Sequence, residues 1–129
     1  MKHLKSFELL NGANITNSLK MDIEKASNNW NDIMTSIVYN EYGFFKKNIN
    51  NINLEQVDIN GNTPLLLASI YGRLKMLKKL IKNGANIFHK NNSGDDFYDI
   101  ANRYKFINSM KDWIEKKYPE FVVLKKYNL

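Results

Sequence analysis

The sequence predicts an all-α protein, a short solenoid of stacked antiparallel helix pairs joined by hairpin-like turns, and three observations carry that prediction. A pentapeptide, Asn-Gly-Ala-Asn-Ile, occurs at 11–15 and again at 83–87, with a degenerate copy, Asn50-Asn51-Ile52-Asn53-Leu54, between them. The steps from Gly61 to Gly94, from Ala68 to Ala101 and from Asn51 to Gly84 are equal. Within that period the apolar residues fall twice at helical spacing, on either side of a glycine. A fixed period of this kind marks units that bury their apolar faces only against one another.

The clearest unit runs from Asp58 to Lys90. Thr63 suits a helix N-cap, and Pro64 the first helical position, where its missing N–H costs nothing. Leu65, Leu67, Ala68 and Ile70 then make a short, mostly apolar inner helix, with Ala68 small enough for close approach of a neighbour. Gly72 ends it in a tight turn. In a second helix Leu74, Leu77, Leu80 and Ile81 share one face, and Lys75, Lys78, Lys79 and Lys82 the other. Gly84 stands where a left-handed C-terminal cap is expected.

Weaker copies flank this unit. Residues 91–117 place Ile100, Ile107, Met110, Trp113 and Ile114 at helical spacing. Upstream, Ile33, Ile37 and Val38 predict one helix, and Phe44, Phe45 and Ile49 a second, shortened one. Residues 1–15, with Leu4, Phe7, Leu9 and Leu10, read as the last helix and exit turn of an incomplete first unit. Pro119 stops the preceding helix or starts a new turn. Phe121 to Leu124 are too apolar for a loose tail and are expected to cover the open end of the last unit. The expected organisation is therefore a single domain over 1–129: a partial N-terminal cap at 1–15, a degenerate unit at 16–57, the clear unit at 58–90, a C-terminal unit at 91–117 and a capping segment at 118–129. Terminal units of a stack are expected to be atypical, because one of their faces meets water.

The clear unit resembles the ankyrin repeat. The matching residues are Asp58, Gly61, Thr63-Pro64-Leu65, Ala68, Gly72, Leu80-Ile81 and Gly84-Ala85-Asn86. One position departs from the family, which usually has His where this chain has Leu66, so a Thr–His hydrogen bond is missing at a cost of about 1 kcal/mol. In the next unit Asp96-Phe97-Tyr98 replaces Thr-Pro-Leu, and Lys105 replaces the inter-helix glycine. The resemblance implies protein binding through turn tips and inner helices. The family's variable positions fall here on Ile59, Asn60, Asn62, Ile70, Tyr71, Lys90, Asn92, Ser93, Asp95, Arg103 and Tyr104. The preceding unit adds Ala26, Ser27, Asn29, Ile37 and Val38. Tyr71 and Tyr104 stand a full period apart at the end of the inner helix, where a tyrosine serves either as an interface anchor or as cover for the adjacent unit.

Composition narrows the function further. The 129 residues suit one domain, and 43% apolar with 12% aromatic residues supports a core. With no cysteine there is no disulfide, thiolate chemistry or Cys-ligated zinc. The first residues carry no continuous apolar stretch, and no run approaches the roughly 18 residues of a membrane span. A cytoplasmic setting is expected, a host cell's cytoplasm included. The net charge of +6 is carried by lysine, with Arg73 and Arg103 the two arginines, and this argues against nucleic acid as partner. Lys46-Lys47, Lys78-Lys79, Lys116-Lys117 and Lys125-Lys126 are spread along the chain and read as solvated outer faces.

No motif for catalysis, phosphate binding or a metal is present. His3 lies near a terminus, and His89 reads as a solvated turn residue. Asp95, Asp96 and Asp99 lack calcium-loop spacing and read as N-terminal charges of the helix beginning near Phe97. No cofactor and no enzymatic activity are expected. The expected function is a protein-binding adaptor or inhibitor, monomeric or weakly dimeric. The alternatives are a lysine-based binder of nucleic acid or acidic surfaces, and a self-associating structural protein.

Overall fold

The computed structural model describes residues 28–104 and 107–127. The expected N-terminal cap (Leu4, Phe7, Leu9 and Leu10), Ala26, Ser27 and Lys105 lie outside the described residues. The described chain is helical, with no strand among the described residues. Its helices are α1 (Asp32–Val38), α2 (Tyr42–Asn48), α3 (Pro64–Ile70), α4 (Leu74–Lys82), α5 (Phe97–Arg103), α6 (Lys111–Lys117) and α7 (Pro119–Tyr127). Single 3₁₀ turns at Ile49–Asn51 and Ile107–Ser109 follow α2 and precede α6.

Each inner helix starts on a side-chain cap. Asn31 accepts from the Met34 N–H, Thr63 from the Leu66 N–H and Asp96 from the Asp99 N–H. These satisfy backbone donors that a helix start otherwise leaves without partners. Pro64 occupies the first turn of α3, as expected.

The inner helices α1, α3 and α5 pack side by side, α2 packs against α1 and α4 against α3. The core they enclose holds Ile33, Phe45, Leu65, Leu66, Leu77, Leu80, Phe97 and Ile100, all essentially without solvent exposure. Leu66, standing where the family has His, is fully buried, so that position is filled by packing. Phe44 departs from the expected apolar face of α2. It is 43% exposed, while Phe45 and Ile49 point inward.

The turns between units form their own hydrogen-bonded ladder. The Asp58 carboxylate accepts from the Asn60 and Asn62 N–H groups, each at 2.9 Å. The amide oxygen of Asn91, at the equivalent place in the next turn, accepts from Ser93 at 3.0 Å and Asp95 at 3.1 Å. The two turns are joined by the Asn92 N–H donating to the Asn60 carbonyl at 3.0 Å. Ile59 N–H similarly donates to the Asn28 carbonyl at 3.1 Å. His89 is half-buried, not solvated. Its Nε2 lies 2.9 Å from the Gly61 carbonyl oxygen, which places the proton on that nitrogen.

The helix start at Pro119 extends α7 to Tyr127. Phe121 is buried, stacked on Phe97 with centroids 5.5 Å apart and meeting Phe88 edge-on, also at 5.5 Å. Lys125 reaches Asp96 at 2.9 Å and Asp99 at 2.8 Å. The apolar segment after Pro119 thus joins the stack through one aromatic plug and one ionic clasp.

Candidate interaction surface

The fold places most of the expected binding positions on turn tips and inner-helix ends. Ile59 is 63% exposed and Asn60, Lys90, Asn92 and Ser93 are exposed with it. Ile59 carries a β-branched apolar side chain at the tip of a rigid turn, held there by the two Asp58 hydrogen bonds.

Tyr71 and Tyr104 are the C-caps of α3 and α5 with nearly the same backbone, φ −94°, ψ 3° and φ −90°, ψ 5°. Both rings are exposed, at 41% and 56%. The Arg73 guanidinium carbon lies 5.9 Å from the centroid of the Tyr71 ring. Tyr39 caps α1 in the same geometry, φ −93°, ψ 7°, and is half-buried against the core. A tyrosine therefore ends each of the three inner helices among the described residues. The sequence pattern does not expose Tyr39, because the step from it to Tyr71 is shorter by a single position than the step from Tyr71 to Tyr104.

Arg103 and Asp95 are bound to each other, Nη2 to Oδ2 at 3.0 Å. The pair joins the turn at 91–95 to the C-terminal end of α5. Arg103 is exposed and Asp95 half-buried. An exposed pair of this kind contributes only about 0–1 kcal/mol.

Four expected positions are placed differently. Asn62 is 5% exposed, and its amide oxygen accepts from the Asn91 side chain at 2.9 Å. It locks consecutive turns together and offers nothing to a partner. Ile37 is fully buried in the core. Ile70 and Val38 are half-buried and pack against that core. The physical reason for Ile37 is the true offset of the preceding unit. The N-caps fall at Asn31, Thr63 and Asp96, so the first step is shorter than the second by a single position, and the equivalent of Ile70 is Val38.

Both arginines are thus committed within the fold. Arg73 donates to the carbonyls of Ile37 at 2.9 Å and Val38 at 2.8 Å, satisfying the C-terminal end of α1. Asp95, Asp96 and Asp99 are held by Arg103 and Lys125, and Asp96 and Asp99 form a reciprocal capping box at the start of α5. Among the described residues no group of three or more acidic or histidine side chains converges on a metal position. No helix among them is long and apolar enough to cross a membrane.

Comparison with known proteins agrees with this geometry. Residues 60–92 match the ankyrin repeat family. The chain is 41% identical over 64 residues to alpha-latroinsectotoxin-Lt1a of Latrodectus tredecimguttatus, a match covering 50% of this chain and 4% of that protein. It is 36% identical over 70 residues to the DNA replication inhibitor plutonium of Drosophila melanogaster, covering 54% of this chain and 40% of the relative. The chain spans well under two thirds of either relative. The capped inner helices, the turn ladder and the family match lead to one conclusion: residues 60–92 form an ankyrin repeat, and the helical architecture of the described residues is consistent with an ankyrin-repeat fold.

Proposed function

We propose that the chain is a non-enzymatic protein-binding module, acting as an adaptor or inhibitor in the cytoplasm, and that it engages its partner through the turn tips and the ends of the inner helices. Ankyrin repeats are protein-interaction units, which supports the general reading. The observation that carries the specific one is the pairing of Tyr71 and Tyr104. They occupy the same capping position on consecutive inner helices, and both rings are exposed. Tyrosine supplies large contact area for little conformational entropy, which is why it recurs among interface anchors.

Ile59 provides an exposed apolar contact on the same row of turns, and Asn60, Asn92 and Ser93 provide hydrogen-bonding groups around it. An inhibitory role is supported by the likeness to the Drosophila replication inhibitor. The test is capture of partners from a lysate of the native source with the full chain, identification by mass spectrometry, and titration of the identified partner against the wild-type chain and variants at Tyr71 and Tyr104.

A further inference from the structure

Lysines of α4 reach aromatic rings on both neighbouring outer helices. Lys75, in the first turn of α4, holds its ammonium 4.5 Å from the centroid of the Tyr42 ring on α2. Lys78 holds its own 5.7 Å from the Trp113 ring on α6. α4 is therefore flanked by the outer helices before and after it. The last turns of these helices carry Lys46 and Lys47, Lys79 and Lys82, and Lys116 and Lys117.

The helix dipole explains part of this. A cation in the last turn faces the negative end of the helix and is favoured there. Lys75 has the opposite placement, near the positive end of α4, where the same dipole disfavours it. Between α2 and α4 lies a hollow of about 250 Å³ lined by Tyr42, Lys75, Lys78, Lys79 and Lys82. Four lysines of α4 and one aromatic ring line it, with no acidic side chain. Among the described residues the ion pairs fall on Arg103 and Lys125, not on these lysines. Like charges gathered in this way repel, and an anion entering the hollow relieves the repulsion.

We infer that the hollow between α2 and α4 is a docking site for an acidic segment of a partner protein, with glutamate or aspartate side chains entering among Lys75, Lys78, Lys79 and Lys82. The half-buried stems of Lys78 and Lys79 and the Tyr42 ring form apolar walls for the methylenes of such side chains. A nucleic acid fits less well. Neither arginine lines the hollow, so no guanidinium is placed there to clamp a phosphate bidentately, and Arg73 is held by the Ile37 and Val38 carbonyls. A lipid bilayer presents a broad surface that does not enter a hollow of this size. This site shares no residue with the Tyr71–Tyr104 surface, so each stands or falls separately.

The test is fluorescence anisotropy of the full chain with a labelled oligoglutamate, run beside a single-stranded DNA oligonucleotide and vesicles of phosphatidylcholine with phosphatidylserine. Oligoglutamate is expected to bind with an affinity that falls as salt rises. K79Q/K82Q should weaken it on the order of tenfold. K111Q/K126Q removes the same charge away from the hollow and should change it by less than about twofold. All four positions are at or near the surface, and circular dichroism is expected to be unchanged in both pairs. The inference is overturned by absent oligoglutamate binding, by equal loss in the two pairs, or by tighter binding of the DNA or the vesicles at matched ionic strength.

Discussion

The Lys125 ammonium lies 2.9 Å from one carboxylate oxygen of Asp96, while the other Asp96 oxygen accepts from the Asp99 backbone N–H at 2.9 Å. One nearly buried carboxylate thus caps α5 and anchors α7 across 29 residues of chain. Asp99 closes the arrangement at 2.8 Å from the same ammonium. Replacing Lys125 with Met leaves two carboxylates without their cation and is expected to cost about 1.5–3 kcal/mol, the range for hydrogen bonds to charged groups. Urea denaturation of the variant against wild type measures it, and amide exchange should show the loosening concentrated in α7.

This clasp should also impose a pH dependence. Burial opposes the charged form of Asp99, but hydrogen bonds from Lys125 and the Asp96 backbone and the Lys125 charge outweigh it and hold its pKa below the ordinary 3.8. Burial likewise opposes the Lys125 cation, and hydrogen bonds to Asp99 and Asp96 outweigh it, raising its pKa above 10.5. The depressed carboxyl contributes stability above pH 3.8 that is lost as pH falls through its lower folded value. The raised amine contributes stability below pH 10.5 that is lost as pH rises through its higher folded value. The stability difference between wild type and K125M should therefore be constant near neutrality and shrink toward both extremes. A difference that does not vary from about pH 2 to 11 contradicts the clasp.

Phe121 is expected to be the apolar half of the same attachment. It is 3% exposed and surrounded by Phe97, Tyr98 and Phe88 at centroid distances of 5.5, 5.8 and 5.5 Å. Phe121→Ala should cost about 3–5 kcal/mol if α7 stays docked, and less if α7 detaches as a unit. Amide exchange should separate the two, with α7 losing protection while α3 and α4 keep theirs.

Gly61 and Gly84 both have positive φ, +78° and +92°, but their surroundings differ. A Cβ on Gly61 would sit 2.5 Å from the Asn92 side-chain oxygen and 3.0 Å from its backbone nitrogen, inside the contact between consecutive turns. Nothing lies within 4 Å of one built on Gly84. Gly84→Ala should therefore cost about 1 kcal/mol, the conformational penalty alone. Gly61→Ala should cost more, about 2–4 kcal/mol, because it also separates the turns. Thermal denaturation of the two variants side by side decides the order.

The clear unit is legible because its special backbone positions are occupied by residues that announce them. Thr63-Pro64 starts α3, and Gly72 and Gly84 end α3 and α4 at positive φ. The preceding unit hides the same geometry. Asn29 and Asn40 have φ of 59° and 57° at the places that Gly61 and Gly72 hold in the clear unit. Asparagine tolerates the left-handed region without looking like a glycine in a repeat search. The resulting shift of a single position puts Ile37 on the surface and overlooks Tyr39. Asn62 and His89 escape sequence reading for another reason. Their burial comes from contacts to Asn91 and Gly61 across the turn ladder, at 29 and 28 residues' separation, and no local pattern encodes such pairs. The lysine face of α4 is legible in the spacing of Lys75, Lys78, Lys79 and Lys82, whereas the Tyr42 ring beside it, on another helix, is not.

The central claim is that a partner protein is held at the inner-helix ends. The most direct measurement is the affinity of the captured partner for the Tyr71→Ala/Tyr104→Ala chain relative to wild type, with circular dichroism verifying an unchanged fold. Two exposed tyrosine anchors predict a loss of at least about 30-fold, equivalent to roughly 2 kcal/mol or more. Undiminished affinity in a folded double variant would contradict the account and move the binding site off this face.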